Sequence, residues 1–111
     1  MERLADLNLY VINNVNLDAV TVATNEVAVD TRWYKDKSVF IEVTGNTGAV
    51  TVNIEGSPDG ITWGYGLIWT KTYAAANGKD SKSTADHFPY MRTTTTTQSN
   101  ATVTTIITGR S

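Results

Sequence analysis

An all-β fold, a single antiparallel β-sandwich or jelly roll of about 7–8 short strands, is what this chain of 111 residues predicts. Three observations carry that expectation. From Ala19 onward, apolar and polar residues alternate with a period of two. Turn signals built from Gly, Asn, Asp and Pro interrupt the alternation at short intervals. Nothing between them has the length and apolar spacing of a central helix.

Residues 1–17 are expected to form an N-terminal arm ahead of a sandwich domain at 18–111. Leu4, Leu7 and Val11 share one helical face, with Tyr10 close by, until Asn13, Asn14 and Asn16 break the pattern. The arm is therefore a short helix or an extended segment. Its apolar side chains need a surface to pack on, either the chain's own core or a neighbouring copy. Ala19–Thr24 and Glu26–Val29 then read as strands divided at Asn25. Ser38–Thr44 and Ala49–Glu55 read as the arms of a hairpin over Gly45–Gly48. Val39, Ile41 and Val43 point one way in the first arm, and Val50, Val52 and Ile54 do so in the second. Ser57-Pro58-Asp59-Gly60 has the residues of a tight turn in the right order. Ile61–Tyr73 continues as a strand pair or one long bent strand. Residues 74–85, small and polar, read as a surface loop. Phe88–Thr97 and Ala101–Thr108 close the chain as a last hairpin over Gln98-Ser99-Asn100.

Composition excludes several functional classes. With 41% apolar and 18% charged residues, the chain is neither disordered nor membrane-spanning by composition. Nine Lys and Arg against eleven Asp and Glu give a net charge of −2, which offers nucleic acid no electrostatic footing. No cysteine means no disulfide framework, thiolate metal site or thiol nucleophile. The charged start Met1-Glu2-Arg3-Leu4-Ala5-Asp6 lacks the apolar core of a signal peptide, so the expected site of synthesis and residence is the cytoplasm.

Candidate chemistry is sparse. His87 adjoins Asp86, the minimum for general-base work, but strand neighbours point to opposite faces and no nucleophile motif accompanies them. Glu42 and Glu55 lie on the two arms of the expected hairpin. A glycosidase pair would need them roughly 5 to 9.5 Å apart in a cleft, and two glutamates on the exposed face of a hairpin more often keep that face soluble. Asp59, Asp80 and Asp86 lack the spacing of a calcium loop. An enzyme is not expected, and no cofactor is implied. The aromatic series Trp63, Tyr65 and Trp69 falls on one face of an extended strand and reads either as a platform for sugar rings or as core and subunit contact. Threonine is the oddity, 19 residues including the run Thr93–Thr97. A strand exposed on one face, at an edge or an oligomer seam, accommodates such a run.

Ala49 to Trp63, with its Glu55-Gly56-Ser57-Pro58-Asp59-Gly60 centre, together with Phe88-Pro89-Tyr90-Met91-Arg92 and the Thr-rich segment after it, resembles a pattern in small β-sandwich proteins of tailed-phage virions. The same residues are similar to the core of discoidin-type jelly rolls, which include carbohydrate-binding modules. The likeness spans about residues 38 to 108 and consists of turn and core positions. It implies a head decoration (cement) protein or a tail or fibre component. The decoration reading implies the major capsid protein and sister subunits as partners, a homo-oligomer (dimer or trimer), a place in the virion after synthesis in host cytoplasm, and no nucleic acid or membrane contact. Leu4, Leu7, Tyr10 and Val11 would then carry partner contacts. In the alternative, a carbohydrate- or receptor-binding module, Trp63, Tyr65 and Trp69 would bind the glycan.

Overall fold

The computed structural model describes residues 2–4, 9–21, 24, 28–86, 88–96 and 101–110, with only the backbone of residues 2–4 and 9–14. Nine strands run through them: β1 (Glu2–Leu4), β2 (Leu9–Val20), β3 (Val29–Asp30), β4 (Asp36–Thr44), β5 (Ala49–Ser57), β6 (Leu67–Ala74), β7 (Gly78–Thr84), β8 (Tyr90–Thr96) and β9 (Thr102–Arg110). β2 to β9 form two four-stranded sheets, ordered β2-β9-β4-β7 and β3-β8-β5-β6, and β1 extends the first beside β2. Every neighbouring pair is antiparallel. This strand order is that of a jelly roll. From β2 onward, consecutive strands lie in opposite sheets except β5 and β6.

That topology corrects both expected hairpins. β4 and β5 exist where the alternation placed them, yet β4 pairs with β7 and β9 while β5 pairs with β6 and β8. Val39, Ile41 and Val43 therefore face Val50, Val52 and Ile54 across the core instead of lying beside them. A period of two is satisfied equally by either arrangement. What selects the crossing is the arch at 45–48. Gly45 takes φ 63°, and the Asn46 side chain donates to Tyr73 O (3.0 Å) and Ala76 O (2.9 Å). Asn46 thus ties this arch to the one joining β6 to β7. β8 and β9 likewise lie in opposite sheets, and residues 98–100 fall outside those described.

Three further expectations change. Residues 78–84 are not loop but β7, paired with β4 from Lys37↔Thr84 to Val43↔Gly78. An edge strand needs no apolar face, and lysines such as Lys79 and Lys82 blunt it. Residues 61–66 are loop, leaving β6 to begin at Leu67. Of the strands expected at 19–24 and 26–29, Val20 ends β2 and Val29 begins β3, while residues 22–23 and 25–27 are outside the description.

Residues 9–17, expected within an arm, are extended and continue through the anticipated boundary at 17/18 as β2, paired with β9 from Val11↔Arg110 to Val20↔Val103. The register slips between Val15 and Leu17, so that Asn16 and Leu17 both point inward. Asn16 Oδ1 accepts the Thr93 N–H at 2.7 Å and the Thr93 hydroxyl at 2.5 Å; Thr93 Oγ1 meets Thr105 Oγ1 at 2.6 Å. This buried chain joins the sheets through the core. Of the threonine run, Thr93, Thr94 and Thr95 are buried and not along an exposed seam, Thr96 is exposed, and Thr97 falls outside the described residues.

Candidate functional site

The first surface region grows from the turn at 57–60. The buried Ser57 hydroxyl accepts the N–H groups of Asp59 (3.3 Å) and Gly60 (3.0 Å) and donates to Thr62 O (2.6 Å). Gly60 takes φ 75° and lies against the Tyr90 ring. The Asp59 carboxylate accepts the N–H groups of Thr62 (2.7 Å) and Ile61 (2.9 Å). Those bonds pull its pKa to about 2.

The turn delivers Trp63 onto the outer face of its sheet, where the Arg92 guanidinium stacks 4.2 Å from the ring centroid. Arg92 pairs with Glu55 at 3.1 Å, both side chains more than four-fifths buried. Tyr65 stands 68% exposed. It borders a cleft of about 370 Å³ with Leu67, Ile68, Phe88, Pro58 and Pro89. Phe88 closes down on Gly56 so tightly that a Cβ there would collide with the ring. Trp69, by contrast, stands opposite Ile54 and packs against the core. Trp63, Tyr65 and Trp69 therefore do not form one row: two belong to the loop, and the third turns inward.

The remaining sequence candidates are dispersed. Leu4 lies on β1 opposite Leu9, and Tyr10 and Val11 lie on β2, positions known for the backbone alone; Leu7 and His87 fall outside the described residues. Glu42 and Glu55 occupy the outer faces of opposite sheets and form no pair. Asp80 accepts the Tyr73 hydroxyl at 2.6 Å; burial first, then that bond, pushes the phenol pKa up. Among the described residues, no group of three or more His, Cys, Asp or Glu is placed to hold a metal, and no helix is long and apolar enough to cross a membrane.

A second region was not singled out from the sequence. On the outer face of the first sheet, register aligns Val15 with Ile106 and Ile106 with Phe40. Phe40 is 47% and Val15 51% exposed. A groove of about 590 Å³ runs beside the row, lined also by Glu42, Lys79, Ser81 and Thr104. The signal lay in the consecutive apolar residues Val39-Phe40-Ile41 and Ile106-Ile107. In a strand, such runs must place one member outside.

No family model and no curated protein matches the chain. Among solved structures, the SPBc2 prophage-derived protein YomS superposes with a TM-score of 0.61 at 10% identity, over 93% of this chain and 95% of that one. The chain shares its fold with a prophage protein. A subunit of Bacillus endospore appendages, described as disulfide-linked pili, gives a TM-score of 0.51 at 15% identity over 92% and 81% of the two chains. PirA gives 0.54 at 17% over 88% and 90%. At these identities the likeness is one of fold.

Proposed function

We propose that the chain is a non-enzymatic structural subunit of a phage particle. In its specific form it is a decoration (cement) protein, binding the major capsid protein and sister subunits on the mature head. The observation that carries this reading is the nearly end-to-end likeness to prophage-derived YomS. A match across 95% of that chain leaves little of YomS outside the shared fold. Disulfide-linked pili among the neighbours support a role in which the domain is a building unit. Having no cysteine, this chain would assemble through non-covalent contacts alone. Many copies on one shell turn individually weak contacts into firm retention. The dispersed carboxylates fit a protein that performs no acid–base chemistry.

The test is to mix purified protein with undecorated heads of its own phage and follow co-sedimentation. Saturable loading, with heads that then resist heat better, is the expected result. Protein that ignores heads but co-purifies with tails would replace decoration with a tail role. A chain lacking residues 1–8 keeps β2 and should fold; loss of head loading in that variant would assign partner contact to the Leu4 and Leu7 segment.

Tyr65, exposed beside its cleft, favours a second reading as a carbohydrate- or receptor-binding tip. Tryptophan emission decides it. A glycan that shifts Trp63 fluorescence in wild type but not in Tyr65→Ala supports the tip, and indifference to every glycan in a screen removes it.

A further inference from the structure

We propose that the free edge of β6 binds an extended, acidic segment of a partner protein as an added antiparallel strand. This does not rest on the decoration reading above. β6 ends its sheet and, among the described residues, pairs with β5 alone. One bond fixes which of its backbone groups are spare. The Ala75 N–H donates to Gly48 O, so Gly48 and Ala75 form a hydrogen-bonded pair, one step beyond Ala49↔Ala74. Such pairs alternate with non-hydrogen-bonded ones along an antiparallel ladder. Tyr73, Lys71 and Trp69 are therefore the residues bonded to β5, and the N–H and C=O groups of Thr70 and Thr72 point outward from the edge. The side chains agree. Thr72 Oγ1 meets Thr51 Oγ1 at 3.0 Å and Thr70 Oγ1 reaches Asn53 Oδ1 at 2.8 Å, the closer approach of non-hydrogen-bonded pairs.

Charge says what the added strand must carry. Lys71 stands opposite Val52, and Lys82 of β7 stands opposite Val39, both core residues, so each lysine leaves its strand on the inner side. β6 and β7 run in opposite directions, and the Tyr73 hydroxyl donates to Asp80 at 2.6 Å across the gap between them. Two residues further along each strand, Lys71 lies across from Lys82. Neither has an ion-pair partner among the described residues, and Lys71 Nζ stands 5.9 Å from the Tyr73 ring centroid. Two cations thus flank the open side of the sandwich, and the Asp80 carboxylate offsets one of them at most. A residue of an added strand opposite Lys71 sits in a non-hydrogen-bonded pair, where side chains come closest. A carboxylate there meets both lysines, whereas an apolar side chain would bury an ammonium group. A second copy's β6 would bring its own Lys71 into the same gap, so the edge turns away its like. In strand addition the main-chain bonds give affinity and the alternate side chains give specificity.

The experiment is fluorescence anisotropy of the full chain with a labelled, end-capped peptide of 8 residues, the length of β6, alternating threonine with glutamate. One control peptide carries lysine for every glutamate, and another has the amides facing β6 N-methylated. The glutamate peptide should bind saturably, and both controls should bind at least about tenfold more weakly. Thr72→Pro removes an outward N–H and leaves the β5 ladder whole, so it should keep the wild-type circular dichroism and lose the peptide. Lys71→Glu should lose the glutamate peptide and gain the lysine peptide, an exchange that a merely structural role for Lys71 would not produce. Equal binding of the glutamate peptide and either control overturns the proposal. So does binding of no peptide, a folded Thr72→Pro that binds as wild type does, or a Lys71→Glu chain that keeps the wild-type preference.

Discussion

An ammonium group sealed between two sheets, as Lys37 is, costs stability unless something compensates its lost hydration. Lys37 is 2% exposed, and among the described residues its Nζ donates to the carbonyls of Tyr34 (3.1 Å) and Lys35 (3.4 Å). Burial lowers its pKa from the usual 10.5, with Asp36 and Asp86 partly opposing. The folded chain therefore holds this proton less tightly than the unfolded chain. Its penalty is present in full at neutral pH and is relieved as pH rises towards 10.5. Lys37→Met should raise stability at pH 7 by about 1 kcal/mol and lose the alkaline rise, measured by urea unfolding at pH 7 and 10. Destabilisation instead would mean that the two carbonyl bonds outweigh the desolvation. Asp59 has the opposite sign. Its folded pKa of about 2 lies below the usual 3.8, so it stabilises above pH 4 and that contribution is lost as pH falls towards 2. Asp59→Asn should flatten the acid limb of a plot of melting temperature against pH in that window. An unchanged limb would remove Asp59 as its source.

The loop at 61–66 has almost no apolar anchorage of its own; its start is fixed by the Ser57 and Asp59 bonds to Ile61 and Thr62, and beyond them Trp63 is held by its stack on Arg92 above Glu55. Removing Arg92 withdraws the stack and leaves a largely buried carboxylate unpaired, so Arg92→Ala should cost about 2–4 kcal/mol. It should also open Trp63 to acrylamide; unchanged quenching would show that the loop is held elsewhere. Strand faces were legible in the sequence because Val39, Ile41, Val43, Val50, Val52 and Ile54 alternate without a break, and the 57–60 turn was legible because its residue types admit few alternatives. Pairing was not legible. An arch across the core and a hairpin in one sheet bury the same residues, and what distinguishes them are bonds between distant arches, such as Asn46 reaching Tyr73 and Ala76, 27 and 30 positions away. β7 was hidden because an edge strand can be built wholly from small and charged residues. The aromatic row failed because Gly64 and Gly66, at φ 100° and 110°, take the chain out of extended conformation between Trp63 and Leu67. Extrapolating strand alternation across them had no basis.

For the whole molecule, the jelly roll makes the ninth strand the organiser of its sheet. β9 lies between β2 and β4, pairing with β2 from Val11 to Val20 and with β4 from Asp36 to Thr44. It also delivers Val103, Thr105 and Ile107 to the core, and Thr105 completes the buried bridge to Thr93 and accepts the Leu17 N–H. Without it, β2 has no neighbour except the three-residue β1, and one side of β4 lies bare. Contacts so distant in sequence also pay loop-closure entropy before they return any stability, which slows folding into the millisecond-to-second range. Deleting residues 102–110 should therefore not trim an edge but abolish the fold, leaving no cooperative transition on heating and no tyrosine or tryptophan near-ultraviolet dichroism. Deleting residues 1–8, which removes β1 and leaves β2 to β9 whole, should preserve both signals. A residue 1–101 fragment that still melts cooperatively would mean that the β3-β8-β5-β6 sheet folds by itself. The two sheets would then be separable units, instead of the single unit implied by strands that alternate between them.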